Sequence, residues 1–101
     1  MKALSKSEIE NSLSDKLKEW SFDGKCIKRD FKFKTFVEAF SFMTAFALEA
    51  EKLDHHPDWS NVYNQVSIKL NTHDANGITQ LDLDLALKAN TIYEIYSKKV
   101  L

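Results

Sequence analysis

The chain carries only two glycines and one proline in 101 residues. Gly24, Pro57 and Gly77 are therefore the strongest interruptions to regular structure, and each falls where the hydrophobic pattern changes. Asp23-Gly24 predicts a hairpin turn between a short strand at Trp20–Phe22 and a longer one at Lys25–Phe33. In the longer strand Ile27, Phe31 and Phe33 share one parity, opposite Lys28, Asp30 and Lys32, and Arg29 is the exception on the apolar side. Pro57 biases the residue before it away from helical geometry and so ends a helix over Thr35 to Asp54, placing His55 and His56 at its unwinding C-terminal end. Asn76-Gly77 marks a turn with positive φ after a second hairpin, "NVYNQVSIKLNTH". Within that hairpin Val66, Ile68 and Leu70 alternate with Ser67, Lys69, Asn71 and His73.

The flanking segments read as helices. Ser5 or Ser7 caps a first helix in which Ile9, Leu13 and Leu17 recur, ending near Trp20. "LDLDLAL" alternates like a strand, but the Thr79 cap signal and the spacing of Leu81, Leu85, Ala89, Ile92 and Tyr96 decide for a last helix. In the middle helix Phe36, Phe40, Met43, Ala47 and Ala50 form a stripe. Phe42, Ala45, Phe46 and Leu53 widen it beyond what a small core needs, so the helix is either sandwiched inside the fold or, the favoured reading, packed on another subunit.

Composition excludes several classes of function. At 101 residues the chain is expected to form one domain over 1–101, too small to join a cofactor domain to a substrate domain. A formal net charge of −1 gives no footprint for nucleic acid or an anionic membrane. The basic cluster "KCIKRDFKFK" reads as the solvated face of a strand. One cysteine, Cys26, permits no intramolecular disulfide and is expected to pack rather than react. No stretch reaches a membrane span or a signal peptide, so a soluble, intracellular protein is expected.

The residues suited to chemistry gather in "EKLDHHPDW", which holds two of the three histidines. Glu51 lies four residues before His55, hence on one helical face, and Asp54 is adjacent; either carboxylate can stabilise an imidazolium. The pair is equipped for acid–base work, or it supplies cations favoured by a helix C-terminus. No H-x-H, H-E-x-x-H or cysteine-rich spacing points to a metal, no G-x-S-x-G elbow to a serine nucleophile, and no glycine loop to a phosphate.

The spaced pattern Glu51-x3-His55-His56-Pro57-x5-Tyr63-x9-His73-x8-Asp82 resembles the signature of the pterin-4a-carbinolamine dehydratases. The likeness extends over nearly the whole chain, including Trp20, "FMTAFALEAEKLDHHPDW" and "NVYNQVSIKL". It implies a two-layer α+β fold, a four-stranded antiparallel sheet with helices on one face in the order αββαββα. It implies dehydration of 4a-hydroxytetrahydropterin to quinonoid dihydropterin, in tetrahydrobiopterin recycling, without metal or organic cofactor. By resemblance His55 and His73 carry acid–base work, His56 binds and orients the pterin, and Asp82 supports the site. Asp82 is also placed to cap the last helix as its third residue. Glu51, Asp54, Trp59, Asn71, Thr72 and Asp74 complete the expected substrate contacts, while Asn71 and Leu81 depart from the small polar or basic residues of some members. The resemblance further implies a homo-dimer or homo-tetramer in the cytoplasm. Vertebrate members also act as dimerisation cofactors of a homeodomain transcription factor through the long helix, which would add a nuclear role.

Overall fold

The computed structural model describes residues 2–97. The elements run α1 (Lys6–Asp15), β1 (Ser21–Phe22), β2 (Ile27–Lys32), α2 (Phe36–Lys52), β3 (Asp58–Val62), β4 (Gln65–Leu70), a 3-10 turn (His73–Ala75) and α3 (Gln80–Ser97). The strands form one antiparallel sheet in the order β1-β2-β4-β3. The architecture is α+β in the expected order of elements, with the 3-10 turn added. No helix among the described residues is long and apolar enough to cross a membrane.

Register explains the two layers. Ile27 pairs with Leu70, Arg29 with Ile68 and Phe31 with Val66, so these side chains share one face. All of them except Arg29 are fully buried, while Asp30, Lys32 and Lys69 on the opposite face meet water. The core rings run across the buried face in sequence. Trp20 meets Phe31 edge-on, Phe31 meets Phe42 at 4.9 Å, Phe42 stacks on Phe46, and Phe46 reaches Trp59 at 5.6 Å. Each such pair adds about 0.5–1.5 kcal/mol beyond area burial. Arg29 is tolerated on the apolar side because its guanidinium lies over Phe31 and Tyr93 and donates to Asn90 Oδ1, which also accepts from the Trp20 indole.

The widened apolar surface of the middle helix divides differently from the sequence expectation. Phe42 and Phe46 are fully buried within the chain, together with Ala39 and Ala50, so they belong to its own core and not to a subunit interface. Ala45 is half-buried. Phe36, Val37, Phe40 and Leu48 are the exposed ones, so part of the expected core stripe faces outward. The ambiguity arises because aromatic residues on two adjoining helical faces give a broad stripe whose inward direction depends on where the sheet lies.

Local boundaries follow from capping. Ser5 forms a capping box with Glu8, and Thr35 caps α2 by accepting from the Glu38 N–H. α1 ends at Asp15, earlier than expected, and Leu17 and Trp20 are buried from the turn that follows. β4 ends at Leu70, so the alternation expected through His73 stops there. Beyond it Thr72 and Gly77 bridge, with the Thr72 N–H donating to the Gly77 carbonyl at 2.8 Å. In this turn Asn76 takes the positive φ of 54°. Gly77 serves close approach instead, since a Cβ there would lie 3.1 Å from the Ala3 Cβ.

Candidate functional site

The site forms where the C-terminus of α2 meets the N-terminus of α3. α2 stops before the proline is reached. Asp54 enters the left-handed region at φ 50°, the Asp54 N–H donates to the Glu51 carbonyl, and the His55 N–H donates to the Ala50 carbonyl. This is a Schellman termination with a non-glycine residue in the left-handed position. It places His55 outside the helix, so the four-residue spacing does not bring it to Glu51. Glu51 Oε1 instead faces His56 Nε2 at 2.8 Å, both side chains being exposed.

His55 turns inward. It is 9% exposed, and its Nε2 lies 2.5 Å from Oδ1 of Asp82, which is fully buried. His55 Nδ1 has no hydrogen-bond partner among the described residues, yet it is not among their sealed, unpartnered atoms and so stays open to solvent. Asp82 Oδ2 accepts from the Thr72 hydroxyl at 2.8 Å and from the Thr79 N–H at 2.9 Å. A buried carboxylate is costly unless its lone pairs are matched, and here three donors match them. The carboxylate that reaches back to cap α3 also contacts His55. Its place in the first helical turn adds a favourable dipole interaction.

The other expected site residues lie nearer the surface. His73 opens the 3-10 turn directly after Thr72 and is exposed, and its ring makes no hydrogen bond or ion pair among the described residues. Asp54 and Asp74 are exposed, Asn71 is half-buried, and Trp59 is half-buried against Phe46. Thr72 is buried, its hydroxyl is committed to Asp82, and its N–H and carbonyl are taken up by Gly77 and Ala75 in the turn, so it holds the site from behind instead of meeting a ligand as expected. Among the described residues no group of three His, Cys, Asp or Glu is placed to hold a metal ion. A cavity of about 1070 Å³ lies between α1, the β1–β2 hairpin and the 71–78 turn. Asn71 borders it, but none of the histidines does. His56 and His73 are exposed, whereas His55 is buried.

The sequence pattern did not connect Thr79 with Thr72. Thr79 appeared only as a helix cap, yet it is fully buried and its hydroxyl lies 2.7 Å from that of Thr72. The T-x-x-D spacing signalled the cap; the contact with Thr72 depends on the tight 72–77 turn.

Comparison with known proteins decides the family. The family model described as pterin 4 alpha carbinolamine dehydratase matches residues 2–92. This chain belongs to the pterin-4a-carbinolamine dehydratase family. A relative from Mesorhizobium japonicum, provisionally named a pterin-4-alpha-carbinolamine dehydratase, is 58% identical over 89 residues, covering 86% of this chain and 90% of its own. A Prochlorococcus marinus protein of the same provisional name is 54% identical over 76 residues, covering 75% of this chain and 80% of its own. The crystal structure of a transcriptional coactivator/pterin dehydratase from Brucella melitensis superposes with a TM-score of 0.86 at 48% identity, over 90% of this chain and 98% of that one. The four-stranded sheet with its helices is thus the dehydratase-family fold.

Proposed function

We propose that the protein dehydrates 4a-hydroxytetrahydropterin to quinonoid dihydropterin, in tetrahydrobiopterin recycling, by histidine acid–base catalysis. The buried His55–Asp82 pair carries this reading, because it holds one imidazole in a fixed orientation next in sequence to the exposed His56, while Thr72, bonded to the same Asp82, directly precedes the exposed His73. The reaction needs a proton delivered to the 4a-hydroxyl as the C–O bond breaks, and a proton removed from the adjacent ring nitrogen as the C=N bond forms. Water leaves, and the proton count balances with one histidine acting as acid and the other as base. His55 and His73 take these two roles. His56, steadied by Glu51, binds and orients the pterin, and Asp54, Trp59, Asn71 and Asp74 line its path. The test is stopped-flow dehydration of enzymatically generated 4a-hydroxytetrahydropterin. The protein should accelerate the decay of the carbinolamine well above its unaided rate, and no acceleration at micromolar protein would refute the assignment.

A second, compatible role in protein binding is favoured by the exposed Phe36, Val37, Phe40 and Leu48 on α2. We propose that this face mediates self-association to a dimer or tetramer and, as the name of the Brucella protein suggests for that relative, contact with a transcription factor. Sedimentation velocity tests the first part; a wild-type protein monomeric at micromolar concentration would remove it.

A further inference from the structure

The hydrogen bonds behind His55 have a direction. The carboxylate of Asp82 only accepts, so the single hydroxyl proton of Thr72 points to Asp82 Oδ2 at 2.8 Å. The Thr72–Thr79 contact of 2.7 Å must then be donated by Thr79. Thr79 Oγ1 in turn accepts from the Leu81 backbone N–H at 3.3 Å, a donor that cannot reverse. The Thr79 backbone N–H, equally irreversible, donates to Asp82 Oδ2 at 2.9 Å. The chain therefore runs from the N-terminus of α3 through Thr79 and Thr72 to Asp82, and every proton in it is assigned. At its far end Asp82 Oδ1 can only accept, so the ring nitrogen 2.5 Å away must carry the proton.

We propose that Thr72 and Thr79 are positioning residues that fix His55 as its Nε2–H tautomer and leave Nδ1 as the atom that exchanges a proton with the substrate. The proposal rests on the reading of His55 as an acid–base group. It deepens that reading by naming the reacting atom and the groups that select it. Thr72 and Thr79 touch no reacting atom; they act through Asp82. The partly open Nδ1, without a partner among the described residues, is what the selection leaves available. The arrangement also explains why the 72–77 turn is pinned by a Thr72–Gly77 bridge, since that bridge sets Thr72 against the cap of α3.

The test combines ring-nitrogen NMR of the whole protein with kinetics of Thr72→Val, Thr72→Ser and His55→Ala. The wild-type spectrum should show His55 as the Nε2–H form, its signals assigned by their loss in His55→Ala. Thr72→Val keeps the shape and removes the donor. Without that donor the Asp82 carboxylate is no longer pinned with Oδ1 toward Nε2, so the His55 signals should shift toward a mixture of tautomers, and kcat should fall about 10–100-fold, the usual effect of losing an outer partner of a functional histidine, with KM little changed. Thr72→Ser restores the donor and should restore both. A wild-type His55 in the Nδ1–H form overturns the proposal, and this reading stands even if Thr72→Val does not fold. A folded Thr72→Val with wild-type kcat and tautomer also overturns it. If that result comes with a slow His55→Ala, only the positioning role falls. If His55→Ala itself keeps wild-type kcat, the catalytic reading falls, and the assignment of Nδ1 falls with it.

Discussion

Replacing Asp82 with alanine separates its structural role from its chemical one. The side chain is fully buried and accepts from His55, Thr72 and the Thr79 N–H. Not all of these donors are stranded by its loss. His55 can turn its partly open ring toward water, and the Thr72 hydroxyl can rotate toward Thr79 Oγ1. The Thr79 N–H can do neither, since it is fixed at the start of α3. One fully stranded donor and two weakened ones, at about 1–3 kcal/mol for a buried unsatisfied group, give a loss of about 3–5 kcal/mol. Against a total stability of about 5–15 kcal/mol this is severe, and Tm should fall by at least ~12 °C. Asp82→Asn retains an oxygen for Thr72 and Thr79 and should lose only about 1 kcal/mol, while presenting His55 with a donor in place of an acceptor. Urea unfolding of both variants at constant m-value is the assay. An Asp82→Ala protein within about 1 kcal/mol of wild type would refute the account of a satisfied buried carboxylate.

Other outcomes follow from the same geometry. Phe46→Glu should unfold the chain rather than dissociate an assembly, because Phe46 is fully buried and an unpaired carboxylate there is uncompensated. Phe40→Glu, on the exposed side, should keep the urea midpoint and lower the sedimenting mass. Glu51→Gln should raise KM by at most about fivefold and leave kcat unchanged, since an exposed ion pair contributes about 0.2–1 kcal/mol; steady-state kinetics checks this. Backbone donors from Cys26 and Lys25 hold the Asp23 carboxyl below its ordinary range. Its contribution is thus present above the unfolded carboxylate value and lost as pH falls through the lower folded one. The stability gap between wild type and Asp23→Asn should therefore be open at pH 7 and narrow below about pH 4, as read from urea midpoints across that range.

Much of the fold was legible in local signals: Ser5 or Ser7 as a first cap, a long helix from Thr35 to Asp54 ended by Pro57, strict alternation at Val66, Ile68 and Leu70, and turn residues at Asp23-Gly24 and Asn76-Gly77, while the last helix needed its cap signal to override a strand-like alternation. The spaced histidine pattern pointed to the family by resemblance, not by local physics. What stayed hidden were pairings made by tertiary placement. The termination at Asp54 rotated His55 away from Glu51 and toward Asp82, and no helical spacing rule applies once the chain has left the helix. Likewise the inward face of α2 could not be chosen between adjoining aromatic stripes until the sheet fixed its position. Thr72 and Thr79 are seven residues apart, and only the closed turn between them makes one hydroxyl the donor to the other.

The central claim is that protons move through His55 and His73, and steady-state kinetics of the His55→Ala/His73→Ala double variant tests it most directly. General acid–base groups contribute about 10²–10⁴-fold each, so the single variants should retain measurable activity with depressed kcat. The double variant, shown to be folded, should approach the uncatalysed rate of carbinolamine dehydration, while His56→Ala should chiefly raise KM. A folded double variant with near-wild-type kcat would contradict the account and leave the buried His55–Asp82 pair as a structural contact alone.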